Sequence, residues 1–314
     1  MPLQQTPFYR SHLADLHQVL LAHEITRTYL TGSRVRFDGV ELGPTNSFEF
    51  AFGTLSTLEF VHLFSVFDGS RVHGQAERRP GRDDAPPGMY FTVINAKVIQ
   101  AGHKNRSGIF SEETGTAGLF IEGIHIDHFF LDKHQTPQGL GAIAFTLGAI
   151  TAHLAGLDEI SLIAAGGKGF QERHVGFKVW PKLGFDAALL PDEQRSAPHL
   201  QGCRTVQDIL DVDPAWWEAE GSQRLMTFDL RPGSRSWLKL LTYTGENSLS
   251  EVPMTSPTAI RKPAKAAKAA PGRVFNISSK GIPRVTTQVK AKIEAAARST
   301  SSKRRRFPEL ISDS

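Results

Sequence analysis

The stretch that decides the fold begins at residues 119–131, LFIEGIHIDHFFL, and continues into residues 136–156, TPQGLGAIAFTLGAITAHLAG. The first segment is rich in β-branched and aromatic residues and predicts a strand. The second passes through Gly139 and Gly141 into an apolar stripe with helical spacing and ends at Gly156, so it predicts a helix. A strand that opens through glycines into a helix presents unpaired backbone N–H groups at a positive dipole end, where phosphate binds readily.

The alternation of strand and helix continues beyond this helix. Residues 159–165 (EISLIAA) predict a buried strand, residues 171–183 a helix interrupted at Pro181, and residues 184–190 another strand. Elements in this order predict an α/β (α+β) fold with a mixed central sheet flanked by helices. Elsewhere we predict helices at 11–30, 206–210 and 214–220, strands at 33–42, 47–52, 89–99, 225–230 and 237–243, and either type at 54–67.

The chain divides by charge into a mildly acidic body and a basic tail. Residues 1–245 carry 22 Lys/Arg and 27 Asp/Glu, whereas residues 246–314 carry 14 Lys/Arg and 5 Asp/Glu. Residues 260–272 and 299–306 are of low complexity and short of apolar residues, so we expect them to be disordered. The predicted regions are N-terminal helix and strands at 1–87 that can join the core, the main domain at 88–245, and a disordered basic tail at 246–314.

Composition disfavours two classes of protein. No apolar run approaches the roughly 20 residues of a membrane-spanning helix, and the amino terminus lacks the pattern of a secretory signal. The only cysteine, Cys203, cannot form an internal disulfide and fits a reducing compartment. We therefore expect a cytoplasmic protein with no membrane partner, whose basic tail would also allow association with a nucleoid or nucleus.

The order of the motifs resembles the GNAT-type N-acyltransferase superfamily. Its members bind acyl-coenzyme A at a central strand followed by Gln/Arg-x-x-Gly-x-Gly/Ala, and residues 136–141 match that motif with Thr136 in place of Gln or Arg. A later signature, an aromatic residue ahead of Gly-Phe, matches Trp180 before Gly184 and Phe185. The resemblance covers about residues 88–190 and implies a sheet that splays near residues 129–131.

The resemblance also implies the ligands. Acetyl-CoA or another acyl-CoA would be a substrate, an amine would be the acceptor, and no metal would be needed. Pantetheine would hydrogen-bond to the free edge of the strand, and the pyrophosphate would rest on the amides after it. The predicted coenzyme contacts are Phe129, Phe130, Leu131, Thr136, Pro137, Gln138, Gly139, Leu140, Gly141 and Ala142.

Three residues of the central strand are candidates for catalysis. Asp127, Glu122 and His125 could each act as a base or position a water, and His125 beside Asp127 could be oriented by that carboxylate. Strand alternation predicts that His125, Asp127 and Phe129 share one face. The simpler alternative is that all three candidates are hydrogen-bonded residues of a sheet.

Two departures from the family pattern bear on catalysis. Many members carry a Tyr as general acid where this chain has Trp180, whose indole N–H is a hydrogen-bond donor only. The Asn that often begins the last helix of the motif falls on Arg173.

Other interpretations of the sequence remain open. His125, Asp127, His128 and His134 could suggest a metal site, although positions 125 and 128 would face opposite sides of a strand. Lys168, within Gly166–Gly169, could lie near phosphate, but the P-loop spacing is absent.

The basic residues 260–306 could bind nucleic acid or another polyanion. The prediction is an acyl-CoA-dependent N-acyltransferase. The alternative is a non-catalytic protein of the same fold that its tail tethers to nucleic acid. A third interpretation is an acyltransferase that the tail delivers to a base amine.

Overall fold

An eight-stranded mixed sheet flanked by helices forms the body of the protein, and the predicted α/β class is thereby confirmed. A second, three-stranded sheet accompanies it. The segments 260–271 and 299–306, for which disorder was predicted, lie outside the described residues. So does Arg173. The computed structural model describes residues 5–80, 85–113, 120–170, 174–247 and 272–278, together with residues 282, 285 and 286.

The large sheet runs from edge to edge in the order β10, β9, β8, β7, β6, β5, β1, β2. Its neighbours are antiparallel except for two parallel pairs, β8 with β9 and β1 with β5. The small sheet has the order β11, β3, β4. The strands are β1 (Arg36–Phe37), β2 (Val40–Glu41), β3 (Ser47–Phe50), β4 (Gly53–Ser56), β5 (Arg71–Glu77), β6 (Gly88–Ile94), β7 (Asn105–Glu113), β8 (Phe120–His128), β9 (Glu159–Gly167), β10 (Ser222–Asp229) and β11 (Val274–Asn276).

One long central helix, α4 (Leu140–Leu154), connects the parallel strands β8 and β9, and several other helices pack against it. Twelve of its fifteen residues are buried, which explains why its sequence is apolar on nearly all sides. Of the helices in the described part of the chain, none is long and apolar enough to cross a membrane. After a π-helical turn at Tyr9–Leu13, the α-helices are α1 (Ala14–Ala22), α2 (Glu24–Tyr29), α3 (Thr57–Leu63), α4 (Leu140–Leu154), α5 (Gly176–Lys182), α6 (Pro191–Ser196), α7 (Val206–Val212), α8 (Pro214–Glu220) and α9 (Arg235–Asn247).

The strand predicted at residues 237–243 is wrong, because this segment lies within α9. Trp237, Leu240 and Thr244 are buried at intervals of three and four residues, which is the helical period. The aromatic and β-branched content of the segment suggested a strand, but the spacing of its buried residues fits only a helix.

The N-terminal region belongs to the same core as the predicted main domain. β1 and β5 are strands of the large sheet, and the apolar core is continuous from Leu13 to Leu240. Stacked phenylalanines fill the space between the two sheets, with the rings of Phe48 and Phe60 only 3.9 Å apart. Residue 87 is therefore not a boundary between separate cores.

Part of the predicted disordered tail is ordered. β11 pairs in parallel with β3, and the ring of Phe275 stacks on Phe48 at 5.0 Å. Val285 is buried and bonds through its backbone to Ser111 and Glu113 at the edge of β7. The prediction of disorder throughout 246–314 is wrong for these residues, because their apolar side chains join the core although basic sequence surrounds them.

Candidate functional site

The hydrogen-bonded ladder between β8 and β9 ends before either strand ends. It pairs residues from Gly123–Glu159 to Ile126–Leu162, whereas β9 continues to Gly167 with β10 still beside it. The main chain of residues 127–131 therefore has no strand on its β9 side within the described residues. We call this segment the open edge; it lies where the sequence predicted that the sheet splays.

A β-bulge marks the start of the open edge. Ser107 pairs with Ile126 and Arg106 pairs with His128, so Asp127 is the extra residue of β8. The bulge ends the regular alternation of side chains. The prediction that Phe129 shares a face with His125 and Asp127 is therefore wrong, since Phe129 borders the same cavity as Ile124 and Ile126.

Asp127 is the most buried member of an ionic cluster of Glu77, Arg106, Asp127 and His128. Arg106 lies 2.5 Å from the Asp127 carboxylate and 2.8 Å from that of Glu77, and His128 Nδ1 lies 3.2 Å from Asp127. The Arg106 guanidinium also stacks over the ring of Tyr90, 4.1 Å from its centre. The Asp127 side chain is only 5% exposed.

The cluster sets the protonation of Asp127. Burial opposes its ionisation, but the contacts with His128 and Arg106 outweigh burial and hold the pKa of Asp127 below its ordinary value. A carboxylate with a lowered pKa is a weak base. Its geometry therefore suits anchoring of the bulge better than proton abstraction.

The other two predicted catalytic residues lie in the part of β8 that precedes the bulge rather than at the bulge itself. His125 is buried within the ladder, where its Nδ1 is 3.0 Å from Ser161 Oγ. Burial lowers the pKa of His125 to about 4. Glu122 lies at the opposite end of the β8–β9 ladder, where its amide donates to Asp158. The structure thus does not bring Asp127, His125 and Glu122 together at one point.

The predicted phosphate site is the N-terminus of α4. Gly139, with a φ of 84°, turns the chain into the helix, a conformation that favours glycine. At the start of the helix, the Leu140 amide donates to the Pro137 carbonyl and the Ile143 amide donates to the Gly139 carbonyl. The amides of Gly141 and Ala142 have no hydrogen-bond partner in the described chain. They remain donors for an anion.

The side chains of this turn have structural roles. Thr136 Oγ1 donates to the Asp132 carbonyl, and Leu140 is buried in the core. A Cβ on Gly141 would lie 3.2 Å from Leu131 Cδ1, so Gly141 is needed for packing against the open edge. Gln138 is exposed, and Pro137 and Ala142 are half-buried. Any ligand contact from this turn would come mainly from its backbone.

The open edge also carries unpaired donors. Within the described residues, the amides of Phe129 and Leu131 have no hydrogen-bond partner, whereas Phe130 donates to Asn105 Oδ1 at 2.7 Å. Trp180 of α5 packs edge-on against Phe129, with ring centres 5.9 Å apart. The ring of Phe130 lies 4.2 Å from that of His103. The open edge thus combines free backbone donors with apolar walls.

A small cavity lies beneath the bulge. It has a volume of about 20 Å³ and extends under β7, β8 and β9 as far as α4. Its walls are mostly apolar and include Ile126, Phe145 and Ile160, while Asn105 and His128 contribute polar atoms. Asn105, like Arg106 and Tyr90, was not singled out from the sequence, because its importance depends on the register of β7.

The alternative sites predicted from the sequence have structural explanations. Gly166 and Gly167 pass so close to the carbonyls of His174 and Gly221 that a Cβ would clash, and Lys168 forms an ion pair with Glu220. Among the described residues, no three His, Cys, Asp or Glu side chains gather as a metal site.

A cleft of about 300 Å³ lies at the far edge of the sheet, beside β10. Its Asp186 carboxylate accepts from the amides of Ala187 and Gln207, and Arg235 in its wall is paired with Asp208. Burial raises the pKa of Asp186. These charged groups are already paired with other groups of the protein, and the cleft lies away from the open edge.

Comparison of the chain with protein-family models, with curated proteins and with solved structures finds no match.

Proposed function

We propose that the chain is an acyl-CoA-dependent N-acyltransferase that transfers an acyl group, most simply acetyl, to an amine. The observation that carries the proposal is the end of the β8–β9 ladder at Ile126 and Leu162, beside the N-terminus of α4. Unpaired amides of Phe129 and Leu131 would bond the pantetheine, and those of Gly141 and Ala142 would bind the pyrophosphate.

In the proposed reaction the amine nitrogen attacks the thioester carbonyl directly. The new C–N bond forms, the C–S bond breaks, and the thiolate takes up the proton that the amine loses. Trp180 cannot supply that proton, and the low pKa values of Asp127 and His125 make both weak bases at neutral pH. Water would therefore carry the proton, and the protein would contribute mainly position and polarisation.

A pair of glycine variants of one helix tests the coenzyme site. Gly139 and Gly156 lie at the two ends of α4 with φ values of 84° and 74°. Alanine at either position adopts a left-handed conformation and costs about 1–2 kcal/mol. Only Gly139→Ala also displaces the amides at the N-terminus, so it should weaken acetyl-CoA binding while Gly156→Ala should not.

Isothermal titration with CoA and acetyl-CoA measures this difference. Binding by the unmodified protein, weakened by Gly139→Ala alone, would support the proposal. The absence of binding at millimolar acetyl-CoA would refute it. Equal effects of the two substitutions would show that the ligand does not contact the start of α4.

A second candidate is a non-catalytic protein of the same fold, tethered to nucleic acid through residues 260–306. What favours it is that Asp127 is held by Arg106 and that no Tyr stands at position 180. Mass spectrometry of an amine mixture incubated with acetyl-CoA separates the two functions. Coenzyme binding without any acylated product, together with salt-sensitive retention of nucleic acid, would favour the second candidate.

A further inference from the structure

The Asn105 side chain contains a buried hydrogen-bond donor without a partner. Asn105 is 2% exposed, and within the described residues its Nδ2 bonds to no other group. Its Oδ1 accepts from the amide of Phe130 on the open edge. A buried amide NH₂ left unpaired is destabilising and uncommon in folded proteins, so it calls for an explanation.

The orientation of this side chain follows from its partner. The contact involves the backbone N–H of Phe130, which can only donate, so the Asn105 atom 2.7 Å from this nitrogen must be the oxygen. The NH₂ group therefore points elsewhere. Asn105 borders the cavity beneath the bulge, together with Ile126 and Phe129.

The cavity suits one small group that accepts a hydrogen bond. Its volume of about 20 Å³ just exceeds the roughly 10–15 Å³ that one water molecule requires. Apolar side chains such as Ile124, Phe145 and Ile160 form most of its wall and would raise the strength of any hydrogen bond inside it. A single carbonyl oxygen, with the rest of its acyl group outside the cavity, matches both properties.

We propose that Asn105 is a catalytic residue whose Nδ2 donates a hydrogen bond to the carbonyl oxygen of the acyl thioester. This inference rests on the proposed function and assigns the carbonyl oxygen of its acyl substrate to the cavity. As the amine attacks, the C=O electron pair moves onto the oxygen and the Asn105 N–H stabilises the charge. The pair then returns, the C–S bond breaks, and Asn105 is unchanged.

The test compares Asn105→Asp with Asn95→Asp. Aspartate at 105 keeps the acceptor for Phe130 but replaces the free donor with an acceptor. Asn95 is also buried, but its side chain is fully paired, with Asp68, Ser70 and Lys97. Asn105→Asp should bind CoA as the unmodified protein does, lose the added affinity for acetyl-CoA, and lower kcat about 10²-fold. Asn95→Asp should keep both the added affinity and kcat.

Infrared spectroscopy of bound [1-¹³C]acetyl-CoA provides a readout whose main comparison, between the unmodified protein and water, does not depend on a variant. A hydrogen bond lowers the carbonyl stretching frequency, so the unmodified protein should show a value at or below that in water, and Asn105→Asp should raise it. A frequency above the aqueous value in the unmodified protein would overturn the assignment. The assignment would also be overturned if Asn105→Asp bound CoA and kept the same additional affinity for acetyl-CoA as the unmodified protein. Failure of CoA itself to bind would instead refute the proposed function.

Discussion

Replacement of Arg106 by methionine tests whether the ionic cluster stabilises the bulge. Methionine keeps an apolar stem over the Tyr90 ring but leaves the Asp127 carboxylate, only 5% exposed, without its guanidinium partner. Removal of one partner from a buried ion pair typically costs 3–5 kcal/mol. His128 remains 3.2 Å from Asp127, and Glu77 is partly solvated, so we expect a loss near the lower end, about 3 kcal/mol.

The loss should depend on pH with a definite sign. In the unmodified protein the pKa of Asp127 lies below its unfolded value, so its contribution to stability is present at neutral pH and disappears only in strong acid. Without Arg106, only the contacts with His128 and His125 still oppose burial, so the pKa of Asp127 should rise, and a protonated carboxyl group needs no cation. The difference in unfolding free energy between Arg106→Met and the unmodified protein should therefore shrink as pH falls from 7 to 4.5.

Equilibrium urea unfolding followed by circular dichroism at both pH values measures this difference. Arg231→Met is the matched control, because its pair with Asp229 involves an arginine that is 80% exposed and should contribute less than about 1 kcal/mol. A loss below 1 kcal/mol for Arg106→Met, or a loss equal at the two pH values, would refute the argument. The double variant Arg106→Met, Asp127→Asn should recover part of the lost stability.

Three further predictions concern the rest of the fold. Burial lowers the pKa of His62 from 6.5 to about 4, so the free energy of unfolding should fall on acidification between these values by up to about 1.4 kcal/mol per pH unit. Urea unfolding at pH 7 and pH 5 should show a smaller fall for His62→Gln, and an equal fall would contradict this prediction. Phe275→Ala should lower the free energy of unfolding by about 2 kcal/mol, because the half-buried ring of Phe275 stacks on Phe48. Thermal unfolding should show no comparable loss for Val274→Ala, whose side chain is exposed. Gly108→Ala should cost about 1–3 kcal/mol, since its Cβ would lie 2.6 Å from the Tyr90 ring and 2.7 Å from the Met89 carbonyl oxygen. Gly202→Ala, with nothing within 4 Å, should stay within about 0.5 kcal/mol, and equal losses in urea unfolding would contradict the prediction.

Local patterns predicted the two central elements that the core surrounds. The stripe from Leu140 to Leu154 coincides with α4, and the apolar run at 159–165 lies within β9. Both elements are buried on nearly all sides, so their sequences record their surroundings directly. The segment 237–243 misled because α9 buries only one face, and its exposed face carries residues that are also common in strands.

Long-range pairing could not be predicted in the same way. Arg106 and Asp127 meet because β7 and β8 pair in a register that one extra residue shifts. No local pattern fixes the register of two strands joined by a loop of several residues. The same limit applies to Asn105, whose oxygen meets Phe130 only in this register, and to Phe275, whose partner Phe48 is more than two hundred residues away.

The ionic cluster connects the stability of the sheet to the proposed chemistry. A carboxylate on a central strand fits two roles in a sequence, proton acceptor or structural anchor, and only its partners distinguish them. Asp127 is paired with Arg106, which also binds Glu77, and its pKa is lowered. These contacts favour the role of a structural anchor. The bulge that Asp127 anchors lies where the β8–β9 ladder ends, and in the part of the chain that the structure describes the amides of Phe129 and Leu131 have no partner there. If those amides bind the coenzyme, Arg106→Met should weaken acetyl-CoA binding as well as stability, although Arg106 itself need not contact the ligand.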